Sequence, residues 1–123
     1  MEAFKLFDSE LRVMEVIWEN EPVTAKEISA TLGDTIGWNK NTTYTIIKKL
    51  IEKNVIDREE PNFVCTSRIK KADVQMSEMD TLIEKLYHGS KITFFASFLQ
   101  NGRLTKRELI QIKKLIEEYE NQV

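Results

Sequence analysis

The sequence predicts a mostly α chain with one small β-hairpin: a winged helix-turn-helix domain followed by a C-terminal helical region. Three observations carry this. Apolar residues recur at helical spacing in two early segments, Leu11 to Trp18 and Thr43 to Leu50. Two short strand-like runs flank the turn Glu60-Pro61-Asn62. After Arg68 the character changes, and helical spacing dominates to the end.

In the first domain, residues 1–70, Asp8 or Ser9 caps a helix running to about Asn20, with Leu11, Met14, Ile17 and Trp18 as its core-facing stripe. Glu21 and Pro22 stop it. Val23-Thr24 offers a short extra strand. Thr24 with Glu27 matches a capping box, opening a short helix from Ala25 to about Leu32 that ends at Gly33. A loop from Gly33 to Trp38 leads to a third helix, about Lys40 to Asn54, with Thr43, Ile46, Ile47 and Leu50 turned inward. Val55 to Glu59 and Phe63 to Ser67 form the hairpin. Trp18 and Trp38 belong to the core, with Trp38 bracing the third helix.

Residues 71–123 form the second region. A helix spans about Lys71 to Tyr87 and ends at His88-Gly89. The apolar patch Ile92 to Leu99 follows, then an Asn101-Gly102 turn. Thr105 and Glu108 form a second capping box for a last helix. Helices this few cannot bury their phenylalanines and aliphatic residues well alone. Burial against a second copy solves this. The expected homodimer contacts are Leu82, Leu86, Tyr87, Phe94, Phe95, Phe98, Leu109, Ile112 and Ile116. A small-molecule pocket lined by the phenylalanines is the weaker alternative.

The third helix is the strongest functional signal. It carries Lys40, Lys48 and Lys49, and no acid occurs from Gly37 to Ile51. The first two turns of a helix in the major groove reach base edges, and here they hold Lys40, Asn41, Thr42, Tyr44 and Thr45. Asn reads adenine with two hydrogen bonds, and Thr meets a base edge or the thymine methyl. Lys48 and Lys49 lie further along and suit phosphate. Arg58 and Asn62 on the hairpin reach the flanking backbone. The expected partner is double-stranded DNA. An exposed lysine-rich face is also what any solvated helix shows, so a winged-helix adaptor for proteins is the alternative.

Composition bounds the remaining classes. With 123 residues, 41% hydrophobic and 31% charged, the chain has a globular balance. The net charge of −2 means that any DNA contact comes from local arrangement. No apolar run approaches the ~20 residues that span a bilayer. No basic-then-apolar leader opens the sequence, so a cytoplasmic protein is expected. The lone cysteine, Cys65, makes no internal disulfide and reads as a small, half-buried strand residue. His88 has no partner histidine nearby and suits a helix end, not a metal site. Glu117, Glu118 and Glu120 read as a solvated cluster. No glycine-rich phosphate loop, metal-ligand cluster or nucleophile–base pair is visible, so neither an enzyme nor a cofactor is expected.

Residues along most of the chain carry a family resemblance. They include Ile17-Trp18 near the end of the first helix, and Val23-Thr24-Ala25 with Glu27-Ile28 at the start of the second. Trp38, Thr42, Thr45, Leu50, Lys53, Ile56 and Arg58 follow through the third helix and first wing strand, then Leu86-Tyr87 with Gly89. Together they resemble the penicillinase and methicillin-resistance repressors of Gram-positive bacteria and related copper-responsive repressors. The resemblance implies a dimeric repressor on a palindromic operator of an antibiotic-resistance or stress-response operon. It also implies release by a membrane sensor protease that cuts the dimerisation region. Family members often show Asn-Phe at the cleavage position, where this chain has Ser97-Phe98. It lacks the cysteine-rich tail of the copper-responsive members, and Lys49 stands where Arg is common.

Overall fold

The computed structural model describes residues 5–123 and divides after Glu78 into two compact units. The first contains α1 (Asp8–Asn20), β1 (Val23–Thr24), α2 (Ala25–Ile36), α3 (Lys40–Glu52), β2 (Ile56–Glu59) and β3 (Val64–Ser67). The chain continues through α4 (Lys71–Tyr87), α5 (Lys91–Gln100) and α6 (Lys106–Glu120). The division falls inside α4, not ahead of it, because Val74 is buried in the core of the first unit.

The three strands form one antiparallel sheet in the order β1-β3-β2. Val23 pairs with Cys65, and Ile56 pairs with Ser67. The short β1 is thus the third strand that the residues between the first two helices suggested. One core cluster gathers Val13, Met14 and Ile17 from α1, Ile28 and Leu32 from α2, and Ile47 and Leu50 from α3. Val23, Ile56 and Cys65 close it from the sheet. Each fully buried aliphatic side chain contributes about 1.5–3 kcal/mol. Both tryptophans pack partly buried against this cluster. Trp18 Nε1 donates to Ser67 Oγ and to the Ile69 carbonyl, each at 3.1 Å.

Several local expectations change. The cap of α1 is Phe7, and Asp8 and Ser9 lie within the helix. The Phe7 N–H donates to Glu10 Oε1 at 2.8 Å, so the acid, not a short polar side chain, satisfies the free amide. The second helix does not stop at Gly33 but runs to Ile36. Gly37 ends it with φ 73, the left-handed conformation that glycine adopts without a Cβ penalty. The loop before α3 is correspondingly short. Thr24 caps α2 by accepting from Glu27 N at 3.1 Å, while its hydroxyl donates to Glu27 Oε1 at 2.9 Å. Cys65 is not half-buried: it has 0% exposure, and burial pushes its thiol pKa up to about 11.

In the second unit, Tyr87, Phe94 and Phe95 form an edge-to-face series with centroids 5.4 and 5.6 Å apart. The Tyr87 hydroxyl donates to Ser97 Oγ at 3.3 Å. Ser90 caps α5 by accepting from Thr93 N, and Thr105 and Glu108 complete the expected capping box of α6. That box holds the exposed Glu108 carboxyl below its usual range, chiefly through the Thr105 backbone N–H. Many large apolar side chains here face outward, among them Leu86 at 61% and Phe95 at 58% exposure. Among the described residues, no helix is long and apolar enough to cross a membrane.

Candidate nucleic-acid interface

The sequence of α3 dictates both how it is fixed and what it shows. Asn39 opens it: Oδ1 accepts from the Thr42 N–H at 2.9 Å and from the Thr42 hydroxyl at 3.1 Å. Thr43, Ile46, Ile47 and Leu50 are buried, which commits one face to the core. The opposite side leaves Lys40, Asn41, Thr42, Thr45, Lys48 and Lys49 exposed. Among the described residues, no ion pair engages Lys40, Lys48 or Lys49. Their charges are therefore available to phosphate, as in an electrostatic contact with a nucleic-acid backbone.

The polar side chains differ in what they have left to offer. Thr45 Oγ1 donates to the Asn41 carbonyl at 2.8 Å. The Thr42 hydroxyl donates to Asn39 Oδ1. Both threonines keep a methyl group and an accepting oxygen. The Asn41 side chain has no hydrogen-bond partner among the described residues and sits one position inside the helix start. It is the side chain on this face best suited to a two-bond contact with a base edge.

Tyr44 departs from the simple picture of an outward reader. It is half-buried and packs against the edge of the core. Its ring meets Phe63 edge-on, with centroids 5.8 Å apart, and Lys40 Nζ lies 5.5 Å from its centroid. On the wing, Arg58 stacks its guanidinium 3.5 Å from the Phe63 centroid and pairs with Glu60 Oε1 at 2.6 Å. Both partners of that pair are exposed, so its contribution is small and a phosphate can compete for the arginine. Asn62 is exposed at the wing tip with φ 76, a left-handed position that Asn tolerates better than most residues.

Sequence reasoning missed the far end of α3. Lys53 follows the helix and reaches Glu10 at 2.7 Å, and its ammonium lies 4.9 Å from the Phe7 ring. Glu10 is 2% exposed. This links the start of α1 to the end of α3. The only sequence signal was Glu10 standing three residues after Phe7.

The penicillinase repressor profile matches residues 6–118, nearly the whole chain. The chain belongs to the penicillinase repressor family. It is 27% identical over 119 residues to the penicillinase repressor of Bacillus licheniformis, covering 95% of this chain and 93% of that one. The Staphylococcus aureus methicillin resistance regulatory protein MecI is 23% identical over 116 residues, covering 93% of this chain and 94% of MecI. In structure, the chain resembles the monomeric form of the B. licheniformis repressor BlaI in complex with the blaP half-operator. The TM-score is 0.51 at 31% identity, over 58% of this chain and 90% of BlaI. Family membership therefore confirms the resemblance drawn from the residues, and the winged helix-turn-helix fold with it. The family is one of transcriptional repressors.

Proposed function

We propose that the chain is a sequence-specific transcriptional repressor that acts in the cytoplasm as a homodimer on a palindromic operator of an antibiotic-resistance or stress-response operon. The observation that carries this is the outer face of α3: three lysines without ion pairs among the described residues, beside the unpartnered amide of Asn41. A relative, BlaI, forms a complex with a half-operator, which supports operator binding. Asn41, with Thr42 and Thr45, selects sequence. Lys40 stands with them on the turns that reach base edges, Lys48 and Lys49 contact phosphate, and Arg58 and Asn62 touch the flanking backbone. Tyr44 shapes the face between them.

Residues 71–123 pair two copies. Leu82, Leu86, Phe95, Phe98, Leu109 and Ile116 are exposed, and Tyr87, Phe94 and Ile112 are only partly covered. So much outward apolar surface is unusual for a monomer and suits a protein interface. Two linked half-site contacts reinforce each other through effective concentration. Occupying the promoter then blocks polymerase sterically.

A membrane sensor protease that cuts the dimerisation region would relieve repression; Ser97-Phe98 holds the position of the family's cleavage bond but without its Asn. That bond lies inside α5, where the Ser97 carbonyl accepts from the Asn101 backbone and side chain. Cutting it requires local unwinding of α5.

The test uses duplexes that the full-length protein selects from a random pool, followed by fluorescence anisotropy. Binding should weaken steeply between low and moderate salt. Lys48→Glu should weaken every duplex, while Asn41→Ala should lower preference for the selected sequence by about 1–3 kcal/mol. A pool that yields no enriched sequence, or a Lys48→Glu protein that binds as well as the parent, refutes the reading.

A further inference from the structure

Phe63 sits at the root of the wing in a conformation that bulky side chains rarely adopt, with φ 53. Several contacts hold it there. Its carbonyl accepts from the Ala25 N–H, the first amide of α2, at 3.0 Å. Its own N–H donates to Glu60 Oε2 at 3.4 Å. Its ring receives Tyr44 edge-on at 5.8 Å, and the Arg58 guanidinium lies 3.5 Å from its centroid. Tyr44 in turn carries Lys40, whose ammonium lies 5.5 Å from the tyrosine ring. The wing, α2 and the exposed start of α3 therefore meet at one side chain.

We propose that Phe63 is a positioning residue for DNA recognition, holding Tyr44, and through it Lys40, in the arrangement the operator meets. This rests on the reading that α3 enters the major groove. Without the Phe63 ring, Tyr44 loses the edge-on contact that fixes its outer part, and the surface under Lys40 is no longer held in one place. Ordering those side chains must then occur on binding, which weakens the specific complex. Non-specific binding depends on the number of positive charges, which Phe63 does not change. Phe63 thus acts on the ratio of specific to non-specific affinity, whereas a loss of fold lowers both together.

The experiment measures both affinities for the full chain, using a duplex selected from a random pool and a scrambled duplex of equal length. Thermal unfolding of each variant is followed in parallel. Phe63→Ala should lower the ratio about tenfold with scrambled-duplex binding unchanged. Phe63→Tyr, which keeps the ring, should restore the ratio, and Phe63→Leu should not. In a Tyr44→Leu background, Phe63→Ala should lower the ratio no further. Should Phe63→Ala fail to fold, Phe63→Leu and Phe63→Tyr decide the matter. Equal loss of both affinities, or a parent-like ratio in Phe63→Leu, overturns the proposal. A parent protein with no sequence preference overturns the functional reading itself, and this inference with it.

Discussion

Thr43 lies on the inner face of α3 with 0% exposure, and its hydroxyl has no hydrogen-bond partner among the described residues. Burying an unpaired hydroxyl costs about 1–3 kcal/mol. Valine keeps the branched shape and nearly the same helix propensity, so Thr43→Val removes the cost without opening a cavity. The expected gain in unfolding free energy is about 1–2 kcal/mol. For a small domain that corresponds to a rise of roughly 4–16 °C in melting temperature. Urea unfolding and thermal melting by circular dichroism both read it. DNA affinity should stay at the parent value, because the side chain faces away from the exposed lysines. A loss of stability would mean that the hydroxyl donates to a carbonyl in the preceding turn, and the reasoning would be wrong.

Two further outcomes follow from other parts of the chain. Leu86→Asp and Phe95→Asp place a charge on exposed apolar residues of the second unit. Each should turn a dimer into a monomer by analytical ultracentrifugation and weaken binding to a two-half-site duplex by at least tenfold, with the winged unit still folded. Tight binding by either variant would remove the dimer from the account. The Cys65 thiol has its pKa raised by burial from 9.0 to about 11, so the folded state holds its proton more tightly than the unfolded state does. Its contribution to stability is complete below pH 9.0 and is lost as the pH rises toward 11. The stability of the parent should fall across that window more than that of Cys65→Ala. Equal alkaline slopes would place the thiol in contact with solvent.

The elements that the sequence disclosed best are those set by local rules. The inward stripe Thr43, Ile46, Ile47 and Leu50 is buried, and the bounds of α4 at Lys71 and Tyr87 match the periodic run. The end of α2 was harder, because Gly33 and Gly37 both satisfy a helix-stop rule. Only the left-handed φ at Gly37 distinguishes them, and that depends on how the following turn packs. Within the candidate interface, exposure of the three lysines and Asn41 follows from helical spacing alone. The Tyr44–Phe63 contact and the Glu10–Lys53 pair join residues far apart in sequence. No local pattern encodes such pairs. Cys65 was legible as a strand residue, but its complete burial comes with its place in a core cluster drawn from residues far away in sequence.

In the proposed complex two copies of α3 press their lysines onto one operator. The decisive measurement is the salt dependence of binding for the parent and for Lys48→Gln on a duplex with two half-sites. Each lost phosphate contact lowers the magnitude of the log–log salt slope by about 0.9. A dimer carries the substitution twice, so the slope should drop by about 2. An unchanged slope would contradict that complex.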